Sequence, residues 1–408
     1  MGYLRIDLEL TQPPPAIALS PEQDGVGIVA RHEGRLVGFA MRELPPGARL
    51  EPPEAEDLAE SLFGRAVLID RAARELAARW PEADALLAPT LSIAICTKDR
   101  AARLRRLLGS LEAVRAASPF ASLEVLVVDN APSDDSTRAA VEAFDGVRYV
   151  LEPRAGLDFA RNAALRAATG DLLAFLDDDV VVDPGWLQGL HTAWTRAPDA
   201  GGYTGLVLPF RLDTEAQVQF ERRGGFGRGF RPDEFRNARH GNTLHPVGAG
   251  ILGAGCDMCF DRRLLLELGG FDEALDTGAP LPGGGDLDIF YRVLRAGRAM
   301  VYEPSYAVHH EHRETLPQLE RQYWTWGLGF MAFLVKSWRT DPALRPRQAA
   351  TVWWWLCDRV AAMARAALRR RRLEFRFAWA EFRGGLQGLA GEYDRSRARS
   401  RRIREQAA

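Results

Sequence analysis

Cysteine is scarce in this chain, which has four cysteines among 408 residues. Cys96, Cys256, Cys259 and Cys357 are too few and too scattered for a disulfide framework in a protein of this length. Cys256 and Cys259 have C-x-x-C spacing, but no second pair completes a structural zinc site. We therefore expect the cysteines to be buried apolar residues rather than groups with metal or redox chemistry.

Long apolar runs are also missing from the sequence. No stretch reaches the roughly 18 apolar residues that cross a bilayer, and the nearest, residues 322–335, is bounded by Arg321 and Lys336. The N-terminus, MGYLRIDLEL, has neither the basic start nor the apolar segment of a signal peptide. The sequence therefore predicts a cytoplasmic protein whose membrane contact, if any, is peripheral and at the inner face of the plasma membrane.

The chain has little net charge, −2 from 53 basic and 55 acidic residues, so no overall field favours nucleic acid. The charge is unevenly distributed, however. Residues 1–90 have nine arginines and fifteen acids, and residues 365–408 have thirteen arginines and five acids. The basic C-terminal end would favour an acidic surface, and no nucleic-acid-binding motif accompanies it.

The chain has three parts that differ in their residue patterns. Residues 1–88 read as a small accessory unit: residues 25–44 have two alternating apolar runs around a His-Glu-Gly turn, which predicts a hairpin, and residues 58–80 have helical periodicity. Residues 89–315 have the pattern of a larger catalytic domain. Residues 316–408 predict a helical extension rich in tryptophan and arginine.

From Leu91 onward, short apolar runs alternate with helical patterns. The runs LSIAICT, LEVLVVDN, VRYVLE and LLAFL predict strands, and the segments between them predict helices. Strands that are apolar on both faces and alternate with helices indicate a Rossmann-like, mainly parallel sheet flanked by helices. Ligands bind beyond the carboxyl ends of such strands, where Thr97, Asp129 and an acidic triplet stand.

The triplet is Asp177, Asp178 and Asp179, at the end of LLAFL. Adjacent carboxylates repel, so they destabilise the fold unless a positive group lies among them. Asp177 and Asp179 project to one side of an extended backbone, which suits a hard divalent cation whose other ligands are diphosphate oxygens. The alternative, a solvated turn before the helix start at Asp183 and Pro184, accounts for Asp183 but not for the triplet.

Taken together, these segments resemble the inverting family 2 glycosyltransferases of the GT-A fold. The resemblance lies in FLDDDV, VVDN and GLDFARNAALRAATGD, and downstream in residues 253–275 and 283–297, in the order that the family has them. It extends from about Leu91 to His312. The expected fold class is therefore α/β: a GT-A fold with a small N-terminal α+β unit and a helical C-terminal extension.

The resemblance implies residues that bind a nucleoside-diphosphate sugar. Thr97 matches a strand-end threonine that lines the nucleotide, and Asp129 matches the acid that accepts an N–H of the base. The alternative for Asp129 is a helix cap. Arg161 matches a nucleotide-contacting arginine, for which a plain surface position is the alternative. Asp177 and Asp178 belong to the donor-binding acidic motif.

The resemblance also implies a metal site for Mn²⁺ or Mg²⁺. Its ligands would be Asp177 and Asp179, joined by His309 or His310 from the sequence HHEH that follows a predicted strand. A separate zinc site within HHEH is the alternative.

Asp286 matches the general base of the inverting members. A sugar hydroxyl has a pKa far above neutrality, so its proton must leave as its oxygen attacks the anomeric carbon. Asp288 is the alternative base, and Gly285 stands where the family more often has glutamate.

Two further segments are distinctive in composition. Residues 220–235 set four glycines among arginines and phenylalanines, which suits either a flap that closes over diphosphate or a surface loop. The tryptophans and arginines beyond residue 322 suit either helix packing on the catalytic domain or contact with anionic lipid.

The sequence thus predicts a metal-dependent inverting glycosyltransferase with a UDP-sugar donor and a carbohydrate or lipid-linked acceptor, as in cell-surface polysaccharide or glycolipid synthesis. One alternative is a sugar-phosphate nucleotidyltransferase, although the glycine- and basic-rich phosphate loop after the first strand is missing. The other is a non-catalytic scaffold that binds carbohydrate or nucleotide.

Overall fold

The computed structural model describes residues 2–77, 87–237, 241, 243–276, 278 and 281–407. The first part of the chain forms a small α+β unit. Its elements are β1 (Gly2–Glu9), β2 (Ile17–Ala18), β3 (Gln23–His32), β4 (Arg35–Glu43), β5 (Arg49–Leu50) and α1 (Pro52–Ala77). The predicted hairpin is confirmed as β3 and β4, with Glu33 and Gly34 turning the chain at φ +51° and +77°.

A three-stranded sheet in the order β1-β3-β4 carries the core of this unit. Helix α1 packs Phe63 against β4, where Gly38 leaves room because a Cβ would lie 2.6 Å from the ring. The helix begins six residues before the predicted start at residue 58, because Pro52 and Pro53 fit the first helical turn, whose amides need no intrahelical partner. The predicted end, residues 78–80, lies outside the described residues.

The second part of the chain builds the main sheet. Its strands are β6 (Thr90–Thr97), β7 (Ser122–Asn130), β8 (Val147–Glu152), β9 (Leu172–Asp177), β10 (Val180–Val182), β11 (Gly202–Pro209), β12 (Asp233–Phe235), β13 (Asp257–Asp261) and β14 (Met300–His310). Its helices are α2 (Ala101–Arg115), α3 (Ser136–Val141), α4 (Leu157–Ala167), α5 (Trp186–Arg196), α6 (Glu215–Arg222), α7 (Arg262–Glu267) and α8 (Gly285–Arg295).

Within the described residues, nine strands form this sheet in the order β10-β14-β11-β13-β9-β6-β7-β8, with β12 paired to β14. The four predicted strands are confirmed as the parallel run β9-β6-β7-β8. Whereas the edge strand β8 is partly exposed, strands β6, β7 and β9 are largely buried on both faces, as a sheet covered by helices requires. The leucines of α2 on one predicted helical face, Leu104, Leu107, Leu108 and Leu111, are buried against it.

The other half of the sheet is mixed. Strand β13 runs antiparallel between β9 and β11, and β14 runs parallel to β11 but antiparallel to β10. This half brings the end of β14 to the turn that follows β9. The acidic triplet and the HHEH sequence thereby become neighbours, although about 130 residues separate them in the chain.

The described residues beyond β14 include four long helices: α9 (Leu316–Thr340), α10 (Arg345–Leu368), α11 (Arg372–Gln387) and α12 (Tyr393–Ala407). Helices α9 and α11 pack closely at glycines, because a Cβ at Gly327 or Gly384 would strike the backbone of the opposite helix. Among the residues described, no helix has the length and apolar content needed to cross a membrane.

The cysteines occupy the core in part. Cys256 and Cys259 are buried, as predicted, whereas Cys96 is half-buried and Cys357 is exposed. Burial raises the pKa of the Cys96 thiol to about 12, which keeps it protonated at neutral pH.

Candidate functional site

The adjacent parallel strands β6 and β9 bring two strand ends together. Their register sets Cys96 opposite Asp177, so the next residues, Thr97 and Asp178, are neighbours. Thr97 Oγ1 donates to Asp178 Oδ2 at 2.7 Å, and Arg100 Nη1 donates to Asp178 Oδ1 at 2.9 Å. The middle aspartate of the triplet therefore has both a hydrogen bond and a positive partner from the protein.

The outer two aspartates are not neutralised in this way. Burial, followed by the charge of Asp179, raises the pKa of Asp177 to about 7. Asp179 Oδ1 is buried without a hydrogen bond among the described residues, and Asp179 Oδ2 lies 3.8 Å from Arg103 Nη1 and 3.9 Å from Arg100 Nη1. Among the described residues, these two carboxylates thus have no cation within hydrogen-bond distance, and the arginines nearest to Asp179 lie farther away.

His310 faces Asp179 from the end of β14. The antiparallel pairing sets Val180 opposite His310, and Glu311 N donates to Asp179 O at 2.9 Å. His310 Nε2 consequently lies 3.3 Å from Asp179 Oδ1. Burial, and then the neighbouring His312, lower the pKa of His310 well below its ordinary value, so the imidazole is neutral.

A buried relay orients this imidazole. His312 Nε2 lies 2.7 Å from Glu221 Oε1, where the carboxylate accepts the hydrogen bond. His310 Nδ1 and His312 Nδ1 lie 3.0 Å apart, so one of them donates to the other. In the tautomer in which His310 Nδ1 is the donor, His310 Nε2 keeps a lone pair that points towards Asp179.

The donor set fits a divalent cation. An oxygen and a nitrogen lone pair that face each other at 3.3 Å repel unless a positive group lies near both, and the carboxylate of Asp177 adds negative charge beside them. The carboxylates suit Mn²⁺ or Mg²⁺, and the imidazole favours Mn²⁺, the softer of the two. Within the described ranges, however, no group of three or more His, Cys, Asp or Glu side chains already surrounds a metal position. Further ligands would have to come from a bound substrate.

His309 points to the opposite side of β14, as alternation along a strand requires. Its Nε2 lies 3.1 Å from Asp183 Oδ2 and its Nδ1 lies 3.0 Å from Arg5 Nη2. Arg31 also pairs with Asp183, so this network joins the N-terminal unit to the main sheet. Of the two predicted histidines, the structure therefore brings only His310 to the acidic triplet.

Glu311 is held by arginines rather than by the histidines. Its carboxylate accepts from Arg106 at 2.5 Å, lies 3.3 Å from Arg103 and pairs with Arg211. The four side chains of HHEH therefore have four different partners outside this sequence: Asp183, Asp179, the arginines and Glu221. A separate zinc site within this sequence has no geometric support.

Asp129 is fully buried at the end of β7. It accepts a 2.8 Å hydrogen bond from Tyr149 Oη, and burial raises its pKa. It does not cap α3, since that helix begins at Ser136 after Asp135. Contact between Asp129 and a base stays a prediction, and it would require Tyr149 to move or to share the contact.

Arg161 is buried rather than exposed. Its Nη1 donates to Asp158 Oδ1 at 2.9 Å and lies 3.4 Å from Asp276 Oδ2, which also accepts from Gly285 N at 2.8 Å. A Cβ at Gly285 would fall on the oxygens of both aspartates. These two carboxylates thus occupy the space beside the helix start where the family more often has a glutamate side chain. The predicted contact of Arg161 with nucleotide is untested.

Asp286 and Asp288 begin helix α8 with different surroundings. Asp286 is half-buried and accepts from Leu287 N at 2.8 Å. Its side chain lies against Gly255, and the next residue along the chain, Cys256, accepts from Asp177 N at 3.4 Å.

Asp288 is buried in an ion-pair cluster. It lies 2.6 Å from Lys336 Nζ and accepts from Arg292 Nε at 2.7 Å. One oxygen therefore links α8 to α9 through Lys336 and the other pairs with Arg292 within α8, whereas Asp286 faces the backbone of Gly255.

Sequence reasoning missed a row of arginines on α2. Arg100, Arg103 and Arg106 are spaced three residues apart, so one helical face carries them along Asp178, Asp179 and Glu311. The signal was present in RAARLRR. Without the sheet order, nothing in that spacing indicates which carboxylates it meets.

The glycine-rich loop, residues 220–235, lies over the histidine relay. The Phe226 ring centroid is 5.2 Å from that of His310 and 5.7 Å from that of Trp326. Arg222 pairs with the N-terminal unit through Tyr3 and Glu43. The choice between flap and surface loop is untested, but this loop does contact the residue nearest the acidic triplet.

Residues 92–248 match the family model of glycosyl transferase family 2. The succinoglycan biosynthesis protein ExoM of Rhizobium meliloti (strain 1021) is 32% identical over 247 residues, which cover 57% of this chain and 71% of that protein. The chain belongs to glycosyl transferase family 2. The predicted resemblance is confirmed.

A second relative of this family 2 chain is matched over less than half of its own length. The pre-mycofactocin glycosyltransferase of Mycobacterium tuberculosis (strain CDC 1551 / Oshkosh) is 28% identical over 233 residues, which cover 55% of this chain but 43% of that protein. The chain thus spans less than half the length of that relative.

A solved structure is similar in fold. The mannosyltransferase PcManGT from Pyrobaculum calidifontis, in complex with GDP-Man and Mn²⁺, has a TM-score of 0.50 and 18% identity, with 82% of this chain and 97% of that chain covered. The predicted α/β GT-A fold, with its large sheet flanked by helices and its helical C-terminal region, is confirmed for this family 2 chain.

Proposed function

We propose that this chain is a metal-dependent inverting glycosyltransferase that moves a sugar from a nucleoside-diphosphate sugar to an acceptor hydroxyl. The observation that carries the proposal is at the carboxyl edge of the sheet: Asp179 faces His310, Asp177 lies close enough for the charge of Asp179 to raise its pKa, and no cation among the described residues is in hydrogen-bond contact with either carboxylate. Family membership and the GT-A fold support the same chemistry.

Asp177, Asp179 and His310 would hold Mn²⁺ or Mg²⁺. When bound, the cation supplies positive charge beside the diphosphate leaving group. Arg100 and Arg103 border the same carboxylates and add donors for phosphate oxygens. The Mn²⁺ in the PcManGT complex belongs to that protein and supports the proposal by analogy only.

The donor we propose is a UDP-sugar. Thr97 and Asp178 hold each other at the nucleotide side of the edge, and the Asp129 and Tyr149 pair lies at the next strand end, where a base N–H would need an acceptor. PcManGT binds GDP-Man, so guanosine is the competing base in any test. Arg161 would act on the nucleotide through the two aspartates it pairs with, Asp158 and Asp276.

Asp286 is the proposed general base. It takes the proton of the acceptor hydroxyl as the acceptor oxygen bonds to the anomeric carbon and the bond from that carbon to the diphosphate breaks. Its position against Gly255, which precedes a residue bonded to Asp177, supports a short path between acceptor and donor.

We also propose the division of the chain into an accessory unit (1–88), a GT-A catalytic domain (89–315) and a helical extension (316–408). A role in cell-surface polysaccharide or glycolipid synthesis draws on the printed name of ExoM, a succinoglycan biosynthesis protein. Such acceptors are assembled at membranes, so peripheral contact at the inner face is part of the proposal.

The test is release of nucleoside diphosphate from UDP-sugars and GDP-sugars, with Mn²⁺, with Mg²⁺ and with a chelator. We expect metal-dependent release that Asp286→Asn abolishes. Release of pyrophosphate from a nucleoside triphosphate and sugar phosphate would indicate a nucleotidyltransferase instead. Nucleotide binding without turnover of any donor would indicate a scaffold.

A further inference from the structure

Helix α10 presents an uncharged face to solvent. Six exposed residues recur every three or four positions along it: Ala349, Trp353, Cys357, Val360, Ala364 and Leu368. At 3.6 residues per turn they all lie within about 60° of Trp353, and the row is about 29 Å long. Trp353 is 69% exposed and Leu368 is 85% exposed. We call this row the Trp353 stripe.

The buried side of the same helix shows that the stripe is not a packing surface within the chain. Trp355, on the opposite face, is buried and stacks on Phe382 of α11, with ring centroids 6.5 Å apart. Trp354, at the border of the stripe, is 52% exposed. An exposed row of this kind is unusual on a water-facing helix, where the outer face is normally polar.

Arginines bound the stripe at both ends. Arg345 and Arg347 begin α10, and residues 369–372 form a run of four arginines where α10 turns into α11. Among the described residues, Arg369, Arg370 and Arg372 have no carboxylate within ion-pair distance. Beyond this run of arginines, the aromatic rings of Phe375 and Trp379 on α11 are also exposed.

This charge pattern discriminates between two occupants. In a two-fold pair of chains, α10 would meet its own copy, and either orientation would set arginine ends against arginine ends. An anionic lipid surface has no such conflict. Tryptophans favour the boundary between headgroups and acyl chains, and arginines bind the headgroups.

We propose that the Trp353 stripe is the surface through which this protein lies on an anionic membrane, with α10 parallel to the bilayer plane. The proposal deepens the peripheral contact proposed above, because it names the helix and residues that make it. The final arginine-rich helix, α12, is not required for it.

The test is sedimentation of the full chain with vesicles of pure phosphatidylcholine and with vesicles of equal parts phosphatidylcholine and phosphatidylglycerol. We expect binding to the mixed vesicles, accompanied by a blue shift of tryptophan fluorescence. The double substitution Trp353→Ser and Trp354→Ser should weaken vesicle binding at least about tenfold, because it removes two aromatic rings that become buried in the lipid on binding. Substituting Arg369→Gln and Arg370→Gln should weaken binding about fivefold per arginine.

Leu266→Ser is the matched control, since Leu266 is an exposed apolar residue on α7, outside the stripe. It should leave vesicle binding unchanged. Unchanged thermal unfolding of the tryptophan variant would establish that it folds, and unchanged release of nucleoside diphosphate from a soluble donor would separate this proposal from the catalytic one.

Three results would overturn the proposal. The first is a wild-type chain that stays in the supernatant with the mixed vesicles. The second is a tryptophan variant that binds them as well as wild type does. The third is self-association, measured by light scattering, that the tryptophan variant abolishes, because the occupant of the stripe would then be a second copy.

Discussion

Neighbouring aspartates at the start of α8 differ because their contacts differ. Asp286 is half-buried beside Gly255, whereas Asp288 pairs with Lys336 and Arg292 inside the protein. A carboxylate that is free of internal cations is available to accept a proton from a substrate. One that neutralises buried cations is not.

We therefore expect the change from aspartate to asparagine to lower activity at Asp286 and stability at Asp288. Asp286→Asn should lower kcat about 10²–10⁴-fold without changing the free energy of unfolding, since general-base catalysis is lost. Asp288→Asn should lower the free energy of unfolding by about 3 kcal/mol, because Lys336 and Arg292 lose their charge partner. Donor turnover and urea unfolding of both variants would measure this. Retained turnover in Asp286→Asn would contradict its assignment as the base.

Gly285 also has a specific reason to be glycine. Asp158 and Asp276 fill the space next to it, so Gly285→Ala should lower the free energy of unfolding by about 1–3 kcal/mol through overpacking of buried carboxylates. Gly109→Ala is the control, since a Cβ there meets open space within α2 and should be neutral or stabilising. Thermal unfolding of both variants decides it. Equal melting temperatures of the two variants would show that Asp158 and Asp276 can move aside for a Cβ at little cost in free energy.

At the scale of elements, α6 is linked to the acidic triplet through the histidine relay. Glu221 fixes His312, which fixes His310. Residues that orient a metal ligand in this way typically affect metal affinity by 10–100-fold. The relay should therefore matter for the cation even though Glu221 lies two side chains away from it.

Glu221→Gln should weaken Mn²⁺ binding about tenfold or more, because the amide can donate to His312 and permit the wrong tautomer of His310. Calorimetric titration of Mn²⁺ is the measurement. Glu215→Gln, on the same helix and without a histidine contact among the described residues, should bind Mn²⁺ as wild type does. If the two variants are indistinguishable, the relay does not act on the site.

The parallel strands and the first hairpin were predictable because their signals are local. Apolar runs bounded by polar strand ends identify β6, β7, β8 and β9, and a Glu-Gly turn between alternating runs identifies β3 and β4. These features need only periodicity and turn chemistry, which neighbouring residues supply.

The arrangement of the site was less predictable because it depends on distant pairings. That His310 rather than His309 meets Asp179 follows from the register of β10 on β14, and no local pattern reveals that register. The same holds for Arg161, whose partner Asp276 lies 115 residues away in the chain. Arg161 can be buried because it pairs with carboxylates, and the sequence alone does not show that pairing.

For the whole molecule, the N-terminal unit is joined to the sheet edge that carries the acidic triplet. Arg31 pairs with Asp183, and Arg5 contacts His309, which is the neighbour of His310 in β14. A strand bridge between Tyr3 and Leu212 and the contacts of Arg222 add to this interface. The accessory unit thus packs behind the strand that carries the histidines.

Arg31→Met should lower the free energy of unfolding of the full chain by about 3–5 kcal/mol, because it leaves Asp183 buried without its arginine. Arg35→Met is the control: it removes the more exposed pair with Asp70 inside the same unit, which should contribute under about 1 kcal/mol. Urea unfolding compares them. Similar losses in the two variants would contradict a role for Arg31 in docking.

The function proposed for the whole molecule depends on a cation at the end of β9. Calorimetric titration of UDP into the full chain, with and without Mn²⁺, tests this most directly when Asp179→Asn is compared with wild type. We expect UDP to bind wild type more tightly with Mn²⁺ and this gain to vanish in Asp179→Asn. Uptake of neither Mn²⁺ nor UDP by wild type, or equal Mn²⁺-dependent binding by the variant, would contradict the account.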